Sequence, residues 1–150
     1  MTTAVKMAIT VSPAQFRDDF EAIRFIRNAG RQWMEDTDEI TPEQQEIFRL
    51  TQPRVLVYRV RGVIVGYGMV TRRPDGCLYV SLAVHPDYQG KGVGTHIYFD
   101  QRKRWTVDPV YARCRATNGA SIRAATTAGY VHEPDMSDEN WIVLRGDMRD

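Results

Sequence analysis

Residues 80–95 read Val-Ser-Leu-Ala-Val-His-Pro-Asp-Tyr-Gln-Gly-Lys-Gly-Val-Gly-Thr, an apolar strand that passes through a proline turn into a glycine-rich helix start. Gly90, Gly92 and Gly94 let the backbone pass close to a ligand with no Cβ in the way. The first N–H groups of a helix have no carbonyl partner within it, so they favour an anion. Lys91 adds a positive charge beside them. The segment reads as a cradle for a pyrophosphate.

Two better-known phosphate loops do not fit. The pattern G-x-x-x-x-G-K-[ST] requires a glycine where His85 stands and a hydroxyl where Gly92 follows Lys91. The dinucleotide pattern G-x-G-x-x-G fails because Thr95 occupies the place of its last glycine.

Composition bounds the remaining classes. At 150 residues the chain is expected to form a single domain over 1–150. A net charge of +1 disfavours a mainly electrostatic nucleic-acid binder, and no basic stripe alternates with aromatics. No apolar run is long enough to span a membrane and Met1–Lys6 does not open a signal peptide, so a cytoplasmic protein is expected. Cys77 and Cys114, the two cysteines, show no metal-ligand spacing and are read as reduced packing thiols, with no metal expected.

Local signals alternate between helix and strand. Met7–Val11 is a candidate strand, and Ser12-Pro13-Ala14-Gln15 predicts a helix from Pro13 that buries Phe16, Phe20, Ile23 and Ile26. Thr41-Pro42-Glu43-Gln44 repeats the same cap and opens a shorter helix toward Leu50. Val55–Val60 and Val63–Thr71 read as a hairpin about Arg61-Gly62, and Pro74-Asp75-Gly76 turns into a third strand, Cys77–Val84. A helix to about Trp105 follows the glycine loop, then a strand at Pro109–Thr117. Asn118 caps a helix closed by Gly129, and Tyr130-Val131 and Asn140–Asp147 supply the last strands.

Gln89-Gly90-Lys91-Gly92-Val93-Gly94 matches Q/R-x-x-G-x-G/A, and Asn118 to Tyr130 matches N-x-x-[AS]-I-R-x-x-x-x-x-G-[FY]. Together with Leu82–Tyr88 these segments resemble the GNAT superfamily of acyl-CoA-dependent N-acetyltransferases over Leu78 to Tyr130, and the order of elements is similar to that family's. The resemblance implies an α/β (α+β) GNAT fold: a mixed, mostly antiparallel sheet of six to seven strands with a splayed central pair, flanked by about four helices. It also implies acetyl-CoA as co-substrate. Pantetheine would pair with the backbone of Leu82, Ala83 and Val84, and the pyrophosphate would rest on Gly90, Lys91, Gly92, Val93, Gly94 and Thr95. Gln89 would fix the turn and Asn118 would also contact the cofactor. Arg102, Lys103 and Arg104 are candidates for charge near the phosphates, against a solvated helix face.

The implied reaction is transfer of an acetyl group to a primary amine of a small-molecule or peptidic acceptor, by direct attack in a ternary complex. Val84's backbone N–H would stabilise the thioester oxygen. Many members carry a tyrosine four residues before the second motif's glycine as general acid; here that residue is Ala125. Neither general acid nor general base is assigned. Tyr79, Ser81, Glu35, Asp36, Asp38 and Glu39 are candidate bases or amine-attracting groups, while His85, His96 and His132 are read as structural. Trp33, Phe48 and Trp141 are candidate acceptor-pocket residues. The alternative reading is a GNAT-like acyl-CoA-binding module, regulatory or assembling with a partner, with little turnover. Homodimers are frequent in the family, and no membrane partner is expected.

Overall fold

In the computed structural model, residues 8–51, 54–105 and 107–147 are described. Their elements are β1 (Thr10–Pro13), α1 (Arg17–Ala29), α2 (Pro42–Thr51), β2 (Leu56–Val60), β3 (Val63–Arg72), β4 (Leu78–Val84), α3 (Val93–Lys103), β5 (Val110–Arg115), α4 (Gly119–Thr127), β6 (Val131–His132) and β7 (Trp141–Gly146). Short 3-10 turns cover Arg31–Trp33, Pro86–Tyr88 and Pro134–Met136. The expected alternation of strands and helices is therefore present, with seven strands and four helices among the described residues.

The strands form one sheet in the order β1-β2-β3-β4-β5-β7-β6. Each neighbouring pair is antiparallel except β4 and β5, which run parallel. The β2–β3 turn places both Arg61 (φ 52°) and Gly62 (φ 81°) in the left-handed region, the geometry that matches the twist of a two-residue hairpin.

The predicted helix start at Pro13 is wrong. β1 extends through Pro13, Ala14 N–H donates to Val55 C=O at 2.9 Å, and the Ser12 hydroxyl accepts from Arg59 across the sheet instead of capping a helix. The capping is done by Asp19, whose carboxylate accepts from the N–H groups of Gln15 (2.9 Å) and Phe16 (3.3 Å) and pairs with Arg59 at 2.8 Å. The first strand is correspondingly displaced from Met7–Val11, and Met7 lies outside the described residues. The second predicted cap holds: Thr41 Oγ1 accepts from Gln44 N–H, and Gln44 Oε1 accepts from Thr41 N–H.

Strand alternation sorts side chains to two faces. Phe20, Ile23 and Ile26 of α1 bury against Tyr67, with Met69, Ala83 and Phe48 of α2 beside them. On the opposite face Val93 and Ile97 of α3 cover Tyr58 and Val65, while Tyr98 of α3, with Ala125 and Ala128 of α4, covers Val80, Val110, Ala112 and Leu144. Gly66 and Gly68 allow α3 to lie directly on β3, since a Cβ at either would stand 2.7 or 2.8 Å from Ile97 carbons. Each face thus carries a pair of helices, and the sheet's central seam runs between them.

Candidate active site

The seam is closed at one end and open at the other. β3 and β4 pair from Arg72↔Leu78 to Gly66↔Val84, and the next bond is His85 N–H to Val65 C=O at 2.7 Å. Bonded and non-bonded pairs alternate along an antiparallel ladder, so that bond makes Gly66↔Val84 and Gly68↔Leu82 non-bonded pairs. The N–H and C=O groups of Leu82 and Val84 consequently point away from β3, toward β5. The β4–β5 ladder, however, runs only from Leu78↔Val110 to Val80↔Ala112. Beyond it β5 follows β7 to Arg115 while β4 continues to Val84, and a gap opens between them.

A cavity of about 630 Å³ fills this gap. Leu82, Ala83 and Val84 line it from β4; Gly92–Thr95 and Tyr98 from α3 and its N-cap; Asn118, Ser121, Arg123 and Ala124 from α4 and its N-cap; and Trp33 and Met34 from the connection between α1 and α2. Gly92 (φ 85°) precedes the helix in the left-handed conformation, and His96 N–H to Gly92 C=O at 3.1 Å begins its ladder. The N–H groups of Val93, Gly94 and Thr95 therefore have no intrahelical acceptor. Gln89 Nε2 donates to Val84 C=O at 2.9 Å, tying the loop to the end of β4.

Among the cradle residues read from sequence, Leu82, Ala83, Val84, Gln89, Gly90, Gly92, Val93, Gly94, Thr95 and Asn118 line this cavity; Lys91 does not, its ammonium lying 5.5 Å over the Tyr88 ring. Asn118 Oδ1 also accepts from Ser121 N–H, capping α4 as predicted. Arg102, Lys103 and Arg104 sit at the far end of α3. Arg102 donates to the carbonyls of Ala128 and Asp147, Arg104 pairs with Asp100, and Lys103 lies over Phe99. Among the described residues, the cation that lines the cavity is Arg123, which stands inside the second motif and for which the sequence suggests no role.

The candidate bases lie elsewhere. Tyr79 donates to Asp75 at 2.7 Å beneath Arg73, and burial pushes its phenol up to about 12, with Asp75 adding to the shift. Neither Tyr79 nor Ser81 lines the cavity. Glu35 accepts from both Arg73 and Arg113. Burial raises its carboxyl, but the two guanidinium groups outweigh that and hold it below the ordinary value. Asp36 accepts from Asp38 N–H, the backbone carbonyls of both accept from Arg27, and Glu39 pairs with Arg31 at 3.6 Å. His85 Nδ1 accepts from Asp87 N–H and so caps the Pro86–Tyr88 turn.

Of the three candidate pocket aromatics, only Trp33 lines the cavity. Phe48 packs in the α1–α2 core, and Trp141 lies under Arg113 (4.0 Å) and Arg115 (4.7 Å). Arg115 also donates to Met34 C=O at 2.6 Å, so arginines on β5 and on the β3–β4 turn fasten residues 34 and 35 to the sheet.

Residues 16–130 match the model of the acetyltransferase (GNAT) family. The chain belongs to that family. This GNAT chain is similar in fold to the Salmonella typhimurium protein yncA, solved with acetyl-CoA as its cofactor, at 23% identity and TM-score 0.74, covering 95% of each chain. It is also similar to a ribosomal-protein-alanine N-acetyltransferase from Brucella melitensis (18% identity, TM-score 0.76, 93% of this chain and 99% of that one). A phosphinothricin acetyltransferase from Sinorhizobium meliloti, in complex with acetyl-CoA, gives 15% identity and TM-score 0.77 over 93% of this GNAT chain and 88% of its own. No curated protein matches. Among the described residues, no helix is long and apolar enough to cross a membrane.

Proposed function

We propose that the chain is an acetyl-CoA-dependent N-acetyltransferase acting, as one domain, on a primary amine of a small-molecule or peptidic acceptor. The observation that carries this reading is the gap past Val80↔Ala112, into which Leu82 and Val84 direct backbone groups beside the open N-terminus of α3. An extended pantetheine arm fits there as an added strand, and a pyrophosphate fits the Gly92–Thr95 amides. That two similar structures hold acetyl-CoA supports the same ligand.

In this reading the amine attacks the thioester carbonyl directly. Val84 N–H donates to the developing oxyanion, a contribution of about 3 kcal/mol for one such donor. The cavity lining contains no carboxylate and no imidazole among the described residues. With water taking the acceptor's proton, kcat/KM rises with pH toward the amine's own value of about 10, without a plateau near neutrality. The free thiols of Cys77 and Cys114 suit a reducing, cytoplasmic setting.

The missing base and Ala125 favour a second reading, an acyl-CoA-binding module with little turnover. Thiol release from acetyl-CoA with a panel of amines separates the two. Isothermal titration with acetyl-CoA, with Gly92→Glu as control, tests the cradle common to both: binding by wild type and its loss in the variant is expected. A well-folded wild type that binds neither acetyl-CoA nor CoA would overturn both readings.

A further inference from the structure

Where many family members carry a tyrosine on α4, Ala125 is fully buried and packs with Tyr98 and Tyr130. The Tyr98 phenol reaches in from α3: its oxygen lies 2.6 Å from Ser121 Oγ and 3.5 Å from Cys114 Sγ, and Ser121 Oγ is itself 3.5 Å from Cys114 Sγ. Tyr98 and Ser121 both line the cavity. Each hydroxyl brings one proton. Burial, reinforced by Cys114, pushes Tyr98 well above the ordinary phenol value, so it keeps its proton. A phenol is the stronger donor, so Tyr98 O–H donates to Ser121 Oγ. The Ser121 proton is then directed either to Cys114 Sγ, a weak acceptor, or to a group entering the cavity. A thiolate accepts more strongly than a neutral thiol.

We infer that Ser121 Oγ–H donates a hydrogen bond to the sulfur of CoA as the thioester breaks, with Tyr98 as the positioning residue behind it. This rests on the acetyl-CoA reading above. The amine lone pair forms the N–C bond, and the C–S bond breaks with its electron pair remaining on sulfur. The surplus ammonium proton passes to water. No proton leaves Tyr98 or Ser121; their hydrogen bond steadies the thiolate until water protonates it.

The titratable groups against this pair are Cys114 on β5 and Tyr130, whose ring lies 5.3 Å from that of Tyr98 and whose hydroxyl donates to Tyr98 C=O; Arg123 on α4 lines the same cavity. The test compares calorimetric affinities of CoA and of desulfo-CoA, which lacks the thiol, between about pH 7 and 9.5, bracketing an ordinary thiol value near 8.5. Taking the ratio cancels titrations common to both ligands, and a Cys114→Ala variant removes the neighbouring thiol.

For wild type, Cys114→Ala and Ser121→Thr, the CoA to desulfo-CoA affinity ratio is expected to rise about tenfold with pH, the effect of a charge-assisted hydrogen bond on one ionisation. Ser121→Ala should abolish the rise, and Tyr98→Phe should reduce it. A rise undiminished in Ser121→Ala, or a flat ratio in wild type that still binds CoA, would overturn the inference alone. Failure of wild type to bind CoA at any pH would overturn the acetyl-CoA reading with it. An undiminished rise in Tyr98→Phe would remove the positioning role.

Discussion

Ala125 has no accessible surface and sits among Tyr98, Tyr130 and the β5 side chains, so a tyrosine at this position has nowhere to go. Ala125→Tyr is expected to overpack the core and lower stability by about 1–3 kcal/mol or more, read from urea denaturation. Faster turnover at unchanged stability would show instead that the missing phenol limits the chemistry. The glycines divide by a similar argument. Gly92 has open space around its would-be Cβ but a φ of 85°, so Gly92→Ala should cost only backbone strain of about 1–2 kcal/mol. Gly66→Ala should cost more, because its Cβ would meet Ile97 Cδ1 at 2.7 Å and the Ala83 carbonyl at 3.0 Å. The same denaturation experiment ranks the two. At this scale the sequence disclosed the loop and the Asn118 cap, whose partners lie within a few residues. It hid Tyr98 and Ser121, which come from different helices and meet only when both pack on β5.

Elements show the same division between local and distant partners. Two segments carry nearly the same cap motif, yet only Thr41-Pro42-Glu43-Gln44 starts a helix. Ser12 faces Arg59 on a neighbouring strand, and that pairing extends β1 through the proline. An edge strand tolerates proline, so the local signal was outweighed by a contact between residues far apart in sequence. Asp19→Ala should therefore destabilise by about 1–3 kcal/mol, since it removes both the α1 cap and the partner of a half-buried guanidinium, while Ser12→Ala should cost less than about 1 kcal/mol. Equal losses in chemical denaturation would restore Ser12 as the cap. The hairpins and the succession of strands along the chain were legible because β-branched runs and turn residues are themselves local signals.

Over the whole molecule, the connection between α1 and α2 is held to the sheet by Glu35, bonded to Arg73 and Arg113, and by Met34 C=O, bonded to Arg115. No spacing rule links these positions, so this fastening was not legible in sequence. Glu35's folded value lies below its ordinary 4.5, because the arginines outweigh burial. Its contribution to stability is therefore fully present above 4.5 and is lost as pH falls through the lower folded value. Wild type should melt above Glu35→Gln at neutral pH, and the two should converge in acid; a gap that persists in acid would mean that the carboxylate charge is not what matters. The short β4–β5 ladder has a consequence of another kind. Leu82 and Val84 occupy the middle of a seven-stranded sheet, where backbone amides are ordinarily among the slowest to trade their protons for deuterium, yet their N–H groups face a gap. They should exchange as quickly as loop amides in the free protein and slow sharply when an extended ligand fills the seam, making two central residues the most sensitive reporters of occupancy.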